Sequence, residues 1–206
     1  MATLFQTYHR FITTSQHFDG LAPLLLRIYL APVMLQAGWN KIVGFEGVVQ
    51  WFGNPEWGLG LPFPEVMAAL AAGTELIGGF LLLIGLATRI VALPLMITMI
   101  VAAYTVHWQN GWLAIADSSS WLADGTLLYS ENIMNSQEKL AAAKSLLETH
   151  GHYDWLTSSG NFVILNNGIE FAATYFVMLL VLFFTGGGRY VSTDYWLTRF
   201  LPSLRN

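Results

Sequence analysis

The chain has 206 residues, of which 54% are hydrophobic and only 11% charged, with no cysteine and a formal net charge of −4. Soluble domains carry about 25% charged residues, so a mean hydropathy of +0.50 points instead to a membrane protein. The missing thiols exclude disulfide exchange and thiolate-held iron–sulfur clusters, and the lack of a basic run leaves no electrostatic footprint for nucleic acid.

The first twenty residues mix polar and aromatic side chains and lack the apolar run of a secretory signal, so the first span is expected to stay in the mature chain. Phe5, Tyr8, Phe11 and Ile12 there, and Tyr195, Trp196, Phe200 and Leu201 at the other end, read as interfacial segments. Four stretches between them are apolar enough to cross about 30 Å of hydrocarbon, which takes roughly 20 helical residues. They fall near 21–38, 63–86, 90–106 and 168–185. The expected fold is all-α: an integral membrane four-helix bundle forming a single domain over 1–206, without an internal repeat.

Residues 39–62, containing WFGNPEWGLGLPFP, read as turns lying on the membrane surface rather than a helix. Residues 107–167 form a longer outer insert, too long for a structureless loop and expected to pack as a small lid. Within it Asn135 and Glu138 fit a capping box, KLAAAKSLLETH has helical periodicity, and Gly151 suits a C-terminal cap, which predicts a short amphipathic helix. Pairs of small residues, Ala68 with Ala72, Ala69 with Gly73 and Gly168 with Ala172, predict close helix contacts.

Arg10, Arg89, Arg189, Arg199 and Arg205 share one side of this topology, whereas Lys41, Lys139 and Lys144 share the other. The positive-inside rule then places both termini in the cytoplasm of a bacterial inner membrane. Seven of the eight tryptophans, at 39, 51, 57, 108, 112, 121 and 155, fall on the outer side, where indole rings suit the headgroup boundary.

Ionisable groups within the bilayer need a partner or a task. Counting from the expected span ends puts Arg27 and Glu75 about 7 Å apart in depth, within reach of an arginine side chain, so they are expected to form a buried ion pair. Such a pair either fixes helix register or serves as a proton or ligand site. Lys41, Glu65, His107 and Glu170 lie at the outer ends of the four spans, one from each, with Asn40, Trp108, Asn166 and Asn167 at similar depth. This mouth suits a quinone head group, a metal ion or a small anion, or is simply the polar end expected of membrane helices. His150, His152 and Asp154 in HGHYD are candidate copper or zinc ligands, or surface residues with no metal.

LLLRIYLAPVMLQAGWNK, ELIGGFLLLIGLATR and a charge-free third span ending in His107 resemble the DoxX family of small four-helix bacterial and archaeal membrane proteins. The resemblance covers 21–108 and 168–190 and is most specific at Arg27, Gly38, Lys41, Glu75, Gly78, Gly79, Gly85 and Arg89. It implies association with membrane oxidoreductase systems, including quinone-linked sulfur oxidation. WFGNPEWGLGLPFP, HWQNGW and ILNNGIEFAATYF further resemble the HvfX branch, which implies a role beside small exported copper-binding peptides and their maturation. The first functional expectation is therefore an inner-membrane partner of a redox or copper-peptide system, with copper or quinone as the associated ligand. The alternative is a quinone-binding oxidoreductase subunit in which Lys41, His107 and Glu170 hold the head group and Arg27 with Glu75 moves protons. A small transporter is disfavoured by four short spans without a repeat. Expected partners are the lipid bilayer, a small exported metal-binding peptide or an oxidoreductase subunit, and a homo-oligomer is compatible with the chain. Whether the protein catalyses a reaction is left open.

Overall fold

The computed structural model describes residues 2–201, with side chains from Leu4 onward; Arg205, counted in the charge bias, lies outside the described residues. Among the described residues the regular structure is helical, and the chain forms two compact units. One unit runs through Met99 and resumes at Tyr175; the other is Ile100–Thr174.

In the first unit, α1 (Ala2–Ser15) exposes Leu4, Phe5, Tyr8 and Phe11 as an apolar stripe at helical spacing. Then α2 (Leu21–Val43) continues five residues beyond its expected end. The next segment corrects the reading of 39–62 as turns, because α3 occupies Phe45–Gly53. Phe45, Val48, Val49 and Phe52 recur at i, i+3, i+4 and i+7, and burying that face outweighs the glycines on either side. The turn signals hold only after it, where the Asn54 side-chain oxygen accepts from Glu56 N–H and Trp57 N–H at 2.8 and 3.1 Å.

Pro64 opens α4 (Pro64–Ile84), its missing N–H costing nothing in the first turn. Gly85 closes it at φ +68°, and Leu86 N–H returns to Leu81 O. After that turn α5 (Thr88–Ala102) runs into one π-helical segment, Ala103–His107, and a short 3-10 turn. Among the described residues three helices are thus long and apolar enough to cross a membrane: Leu21–Val43, Pro64–Ile84 and Thr88–Asn110. The fourth expected span is the apolar α9 (Glu170–Thr185), which at 16 residues is shorter than those three. It starts at Glu170, where the N–H groups of 166–170 bond to carbonyls of 111–114 and Ile169 O accepts the first helical bond, from Ala173 N–H.

Close packing of α2 on α4 depends on glycine. A Cβ at Gly38 would lie 2.6 Å from Leu76 N, and one at Gly79 would lie 2.9 Å from Leu35 N. Neighbouring Gly78 faces α5 instead, 3.1 Å from the Leu95 side chain, so one Gly-Gly pair admits two helices. Of the expected small-residue pairs, Ala68 and Ala72 are buried, whereas a Cβ at Gly73 would meet open space. Leu30, Met34, Leu82, Leu95, Leu179 and Leu182 form the centre of this unit's core.

The second unit has its own small core of Leu113, Ala123 and Ile133. It contains α6 (Glu131–Met134), α7 (Ser136–His150) and α8 (Tyr153–Leu156). The predicted amphipathic helix is α7, turning Leu140 and Leu147 inward. Its expected caps differ in detail. Asn135 makes no side-chain cap bond and has helical backbone angles, and Gly151 is extended at φ −130°. The reason is that α6 precedes α7 directly, so Asn135 N–H is taken by Glu131 O and the junction never adopts the open N-cap geometry.

Finally α10 (Thr193–Phe200) begins with a capping bond from Tyr195 N–H to Ser192 Oγ at 3.2 Å. Asp194 at its start accepts from Ala87 N–H at 2.6 Å and from Thr88 N–H at 2.9 Å, capping α5 from another helix. Replacing Asp194 by Ala is expected to cost about 1–2 kcal/mol, the usual worth of a strong N-cap, with Asn losing less because one acceptor remains. Thermal melting of the detergent-purified variants checks this order.

Candidate functional site

The strongest candidate lies between α2 and α4. Lys41 Nζ donates to Glu75 Oε2 at 2.6 Å, with the Glu75 side chain 4% and the Lys41 side chain 25% exposed. A lysine near the end of a membrane helix ordinarily extends its ammonium outward to the headgroups. Here it turns into the bundle, because an acid in the middle of α4 offers a partner that repays the lost hydration.

The expected Arg27–Glu75 pair is therefore corrected: both residues are buried, but not with each other. The cause is helix register. Gly79 packs on α2 between Ala31 and Leu35, so in this antiparallel pair Arg27 is level with Gly85, about 15 Å along the axis from Glu75 at 1.5 Å per residue. At that level the Arg27 guanidinium donates to Leu82 O (2.7 Å) and Leu83 O (2.9 Å) at the end of α4, and to Gly187 O and Val191 O in the segment before α10. Carbonyls in the last turn of a helix are short of intrahelical donors, and one planar fork reaches two of them while tying in the segment before α10. Arg27 is thus a structural joint rather than a proton carrier.

The four residues expected at an outer mouth are divided between the units, Lys41 and Glu65 in one, His107 and Glu170 in the other. Glu65 is exposed in the first turn of α4, where a carboxylate favours the positive end of the helix dipole. In the second unit, Glu170 Oε2 accepts from Ala114 N–H at 2.8 Å. His107 Nδ1 lies 2.9 Å from Asn167 O, a carbonyl that also accepts from Asn110 Nδ2. A carbonyl only accepts, so Nδ1 is the donor in this contact. Asn166 Nδ2 donates to Asn110 O and Leu113 O. Backbone bonds from 166–170 to 111–114 complete a clasp joining the two ends of the insert.

Gly168, expected as a helix-packing residue, instead closes this clasp. A Cβ there would lie 2.5 to 2.7 Å from three carbonyl oxygens, of Leu113, Trp112 and Gly111. Gly168→Ala is accordingly expected to open the insert, increasing limited proteolysis within 109–165 at least about tenfold if opening costs 1.4 kcal/mol or more.

His150 ends α7, and His152 and Asp154 flank the start of α8, all three exposed. Among the described residues no three His, Asp or Glu side chains gather in a way that could hold a metal ion. The expected three-ligand set is thus corrected, because α7 and α8 separate its members onto different turns. Sequence reasoning missed Asp194 altogether. Its signal, Ser-Thr-Asp before a helix, is that of an ordinary cap, and nothing local reveals that the carboxylate caps a different helix.

The DoxX family model matches residues 22–108, the segment carrying Arg27, Lys41, Glu75 and His107. Among curated proteins, "Putative oxidoreductase CatD" of Bacillus subtilis is 42% identical over 97 residues, covering 47% of this chain and 68% of that protein. An uncharacterized protein of Haemophilus influenzae is 35% identical over 98 residues, covering 46% of this chain and 62% of its own length. No solved structure matches the chain.

Proposed function

The chain belongs to the DoxX family, and from that premise we propose that it is the membrane-embedded component of an oxidoreductase system, with Lys41 and Glu75 as its working pair and a quinone-class substrate at that pair. The observation that carries this reading is a charged pair at 2.6 Å between two crossing helices, within the segment that matches the DoxX family model, in a chain similar to an oxidoreductase-named relative. A quinone presents two carbonyl oxygens that need donors. The Lys41 ammonium has three N–H groups, one of them committed to Glu75, and its partial exposure leaves the others accessible. Glu75 holds the ammonium in place and offers a carboxylate through which a proton can pass. The electrons come from a partner subunit of the same system.

Binding of a ubiquinone or menaquinone analogue to the protein in lipid nanodiscs tests the reading. Saturable binding that falls at least about tenfold in both Lys41→Met and Glu75→Gln is expected; a wild type that binds no analogue saturably ends it.

Orientation follows the same logic. Arg10, Arg89, Arg189 and Arg199 support an inner-membrane topology with both termini cytoplasmic, and a reporter fused after Asn206 that responds from the periplasm overturns it.

A second reading, a membrane partner of an exported metal-binding peptide, is favoured by the second unit. It lies largely outside the family match, folds around its own core and exposes Trp121, Leu127, Tyr129 and Trp155. Exposed aromatic residues of this kind suit a protein partner. In this reading the peptide carries the metal, and Trp121→Ala with Trp155→Ala abolishes co-purification of a tagged peptide without changing yield.

A further inference from the structure

A cavity of about 690 Å³ opens at the end of the first unit, where α4 gives way to α5 and α9 gives way to α10. Its wall includes Arg89, Arg189, the run Gly186–Gly188 and the apolar Ile90 and Leu197. From these features the geometry points to a binding site for a phosphate group, of the kind carried by an anionic phospholipid headgroup.

Charge is the first argument. Arg89 is exposed, and the ion pairs among the described residues are Lys41–Glu75 and Arg189–Asp19, so Arg89 has no acid. Arg189 meets Asp19 only at 3.9 Å, with both side chains about half exposed, a contact worth little in water. The one acid lining the cavity, Asp194, has both carboxylate oxygens committed to Ala87 N–H and Thr88 N–H. Two arginines against one acid thus line the cavity, a net positive wall, and a guanidinium fork matches phosphate oxygens.

Access is the second. Gly186 and Gly188 have φ of +78° and +95°, and a Cβ at Gly186 would lie 3.2 Å from Arg89 Nε. The absence of side chains on this turn leaves room beside the guanidinium.

Position is the third. The cavity lies at the ends of two crossing helices, the depth of lipid headgroups, where Ile90 on its wall is 71% exposed and Phe184, two residues before Gly186, is 66% exposed. Beside it α10 exposes Trp196 and Phe200, residues suited to the interface. A molecule with an anionic head and apolar tails matches this sequence of surfaces, whereas the choline of a zwitterionic lipid would meet two like charges. The site is separate from Lys41 and Glu75, so its failure and that of the quinone reading are distinguishable.

The test is native mass spectrometry of the full chain taken from nanodiscs containing equal phosphatidylglycerol and phosphatidylcholine. The wild type is expected to retain phosphatidylglycerol preferentially. Each of Arg89→Gln and Arg189→Gln should lower that retention about fivefold, the weight of one basic residue at an anionic surface. Arg10→Gln, which removes the same charge from α1, should leave it unchanged. Equal retention of the two lipids by the wild type, which requires no variant to fold, overturns the proposal; so does an equal loss in Arg10→Gln. Inorganic phosphate that binds in phosphatidylcholine-only nanodiscs, and is lost in the double Arg89→Gln, Arg189→Gln variant, overturns the lipid as its source and assigns the site to the free ion.

Discussion

Lys41→Met is expected to destabilise the purified protein by about 3 kcal/mol, the usual cost of removing one partner of a buried pair. The acid left behind is 4% exposed, in a helix where the neighbouring Ala72, Leu76, Gly78 and Gly79 offer no polar side chain. Glu75→Gln should cost less, because the Lys41 side chain is 25% exposed and can swing its ammonium to the headgroups. The asymmetry between the two variants distinguishes this pair from a surface bridge, for which both changes cost little. Combining them removes the unpaired charge, so the double variant should be more stable than Lys41→Met alone. Melting curves followed by tryptophan fluorescence measure all three, and losses that simply add would remove direct pairing from the account.

The second large effect is at the Arg27 joint. Arg27→Leu leaves Leu83 O, Gly187 O and Val191 O without the guanidinium that reaches them, and Leu82 O with Gly85 N–H alone. At roughly 1–3 kcal/mol for a buried acceptor left unsatisfied, and less for the part-buried Leu83 O and Val191 O, the sum is a large part of a domain's stability. The expected outcome is loss of monodisperse protein on size exclusion. Arg27→Lys should fall between, since a single ammonium cannot reach all four carbonyls of the end of α4 and the segment before α10. Gly85→Ala attacks the same joint from the other side. Its φ of +68° disfavours any side chain, and the added Cβ would lie 2.6 Å from Arg27 Cζ and 2.7 Å from Ser192 Cβ. The guanidinium is the tip of a flexible chain, yet four hydrogen bonds hold it where it is. A Gly85→Ala protein that melts with the wild type would show that the joint gives way cheaply.

Both predictions rest on residues that the amino-acid sequence singles out without revealing their partners. Burial of Arg27 and Glu75 is legible because charge inside an apolar run must be sequestered from lipid. So is the α4 boundary, where Pro64 and Gly85 act through their own backbone preferences. The same local logic covers α7, whose periodicity is plain in KLAAAKSLLETH. It falters at α3, whose apolar positions 45, 48, 49 and 52 are interleaved with glycines, and at the fourth span, whose start is decided by the clasp that Gly168 closes.

The sequence by itself determined a helical membrane protein, the places of its crossing helices, and the buried charges among them, because hydropathy and helical periodicity act within about one or two turns of the chain. The tertiary structure alone decided that Glu75 takes Lys41, that Arg27 takes backbone carbonyls, and that Asp194 caps α5. Each depends on how far one helix slides along another. A shift of five residues moves a side chain by about 7 Å, more than the reach of a hydrogen bond, and that shift is set by where Gly38, Gly78 and Gly79 let neighbouring helices meet.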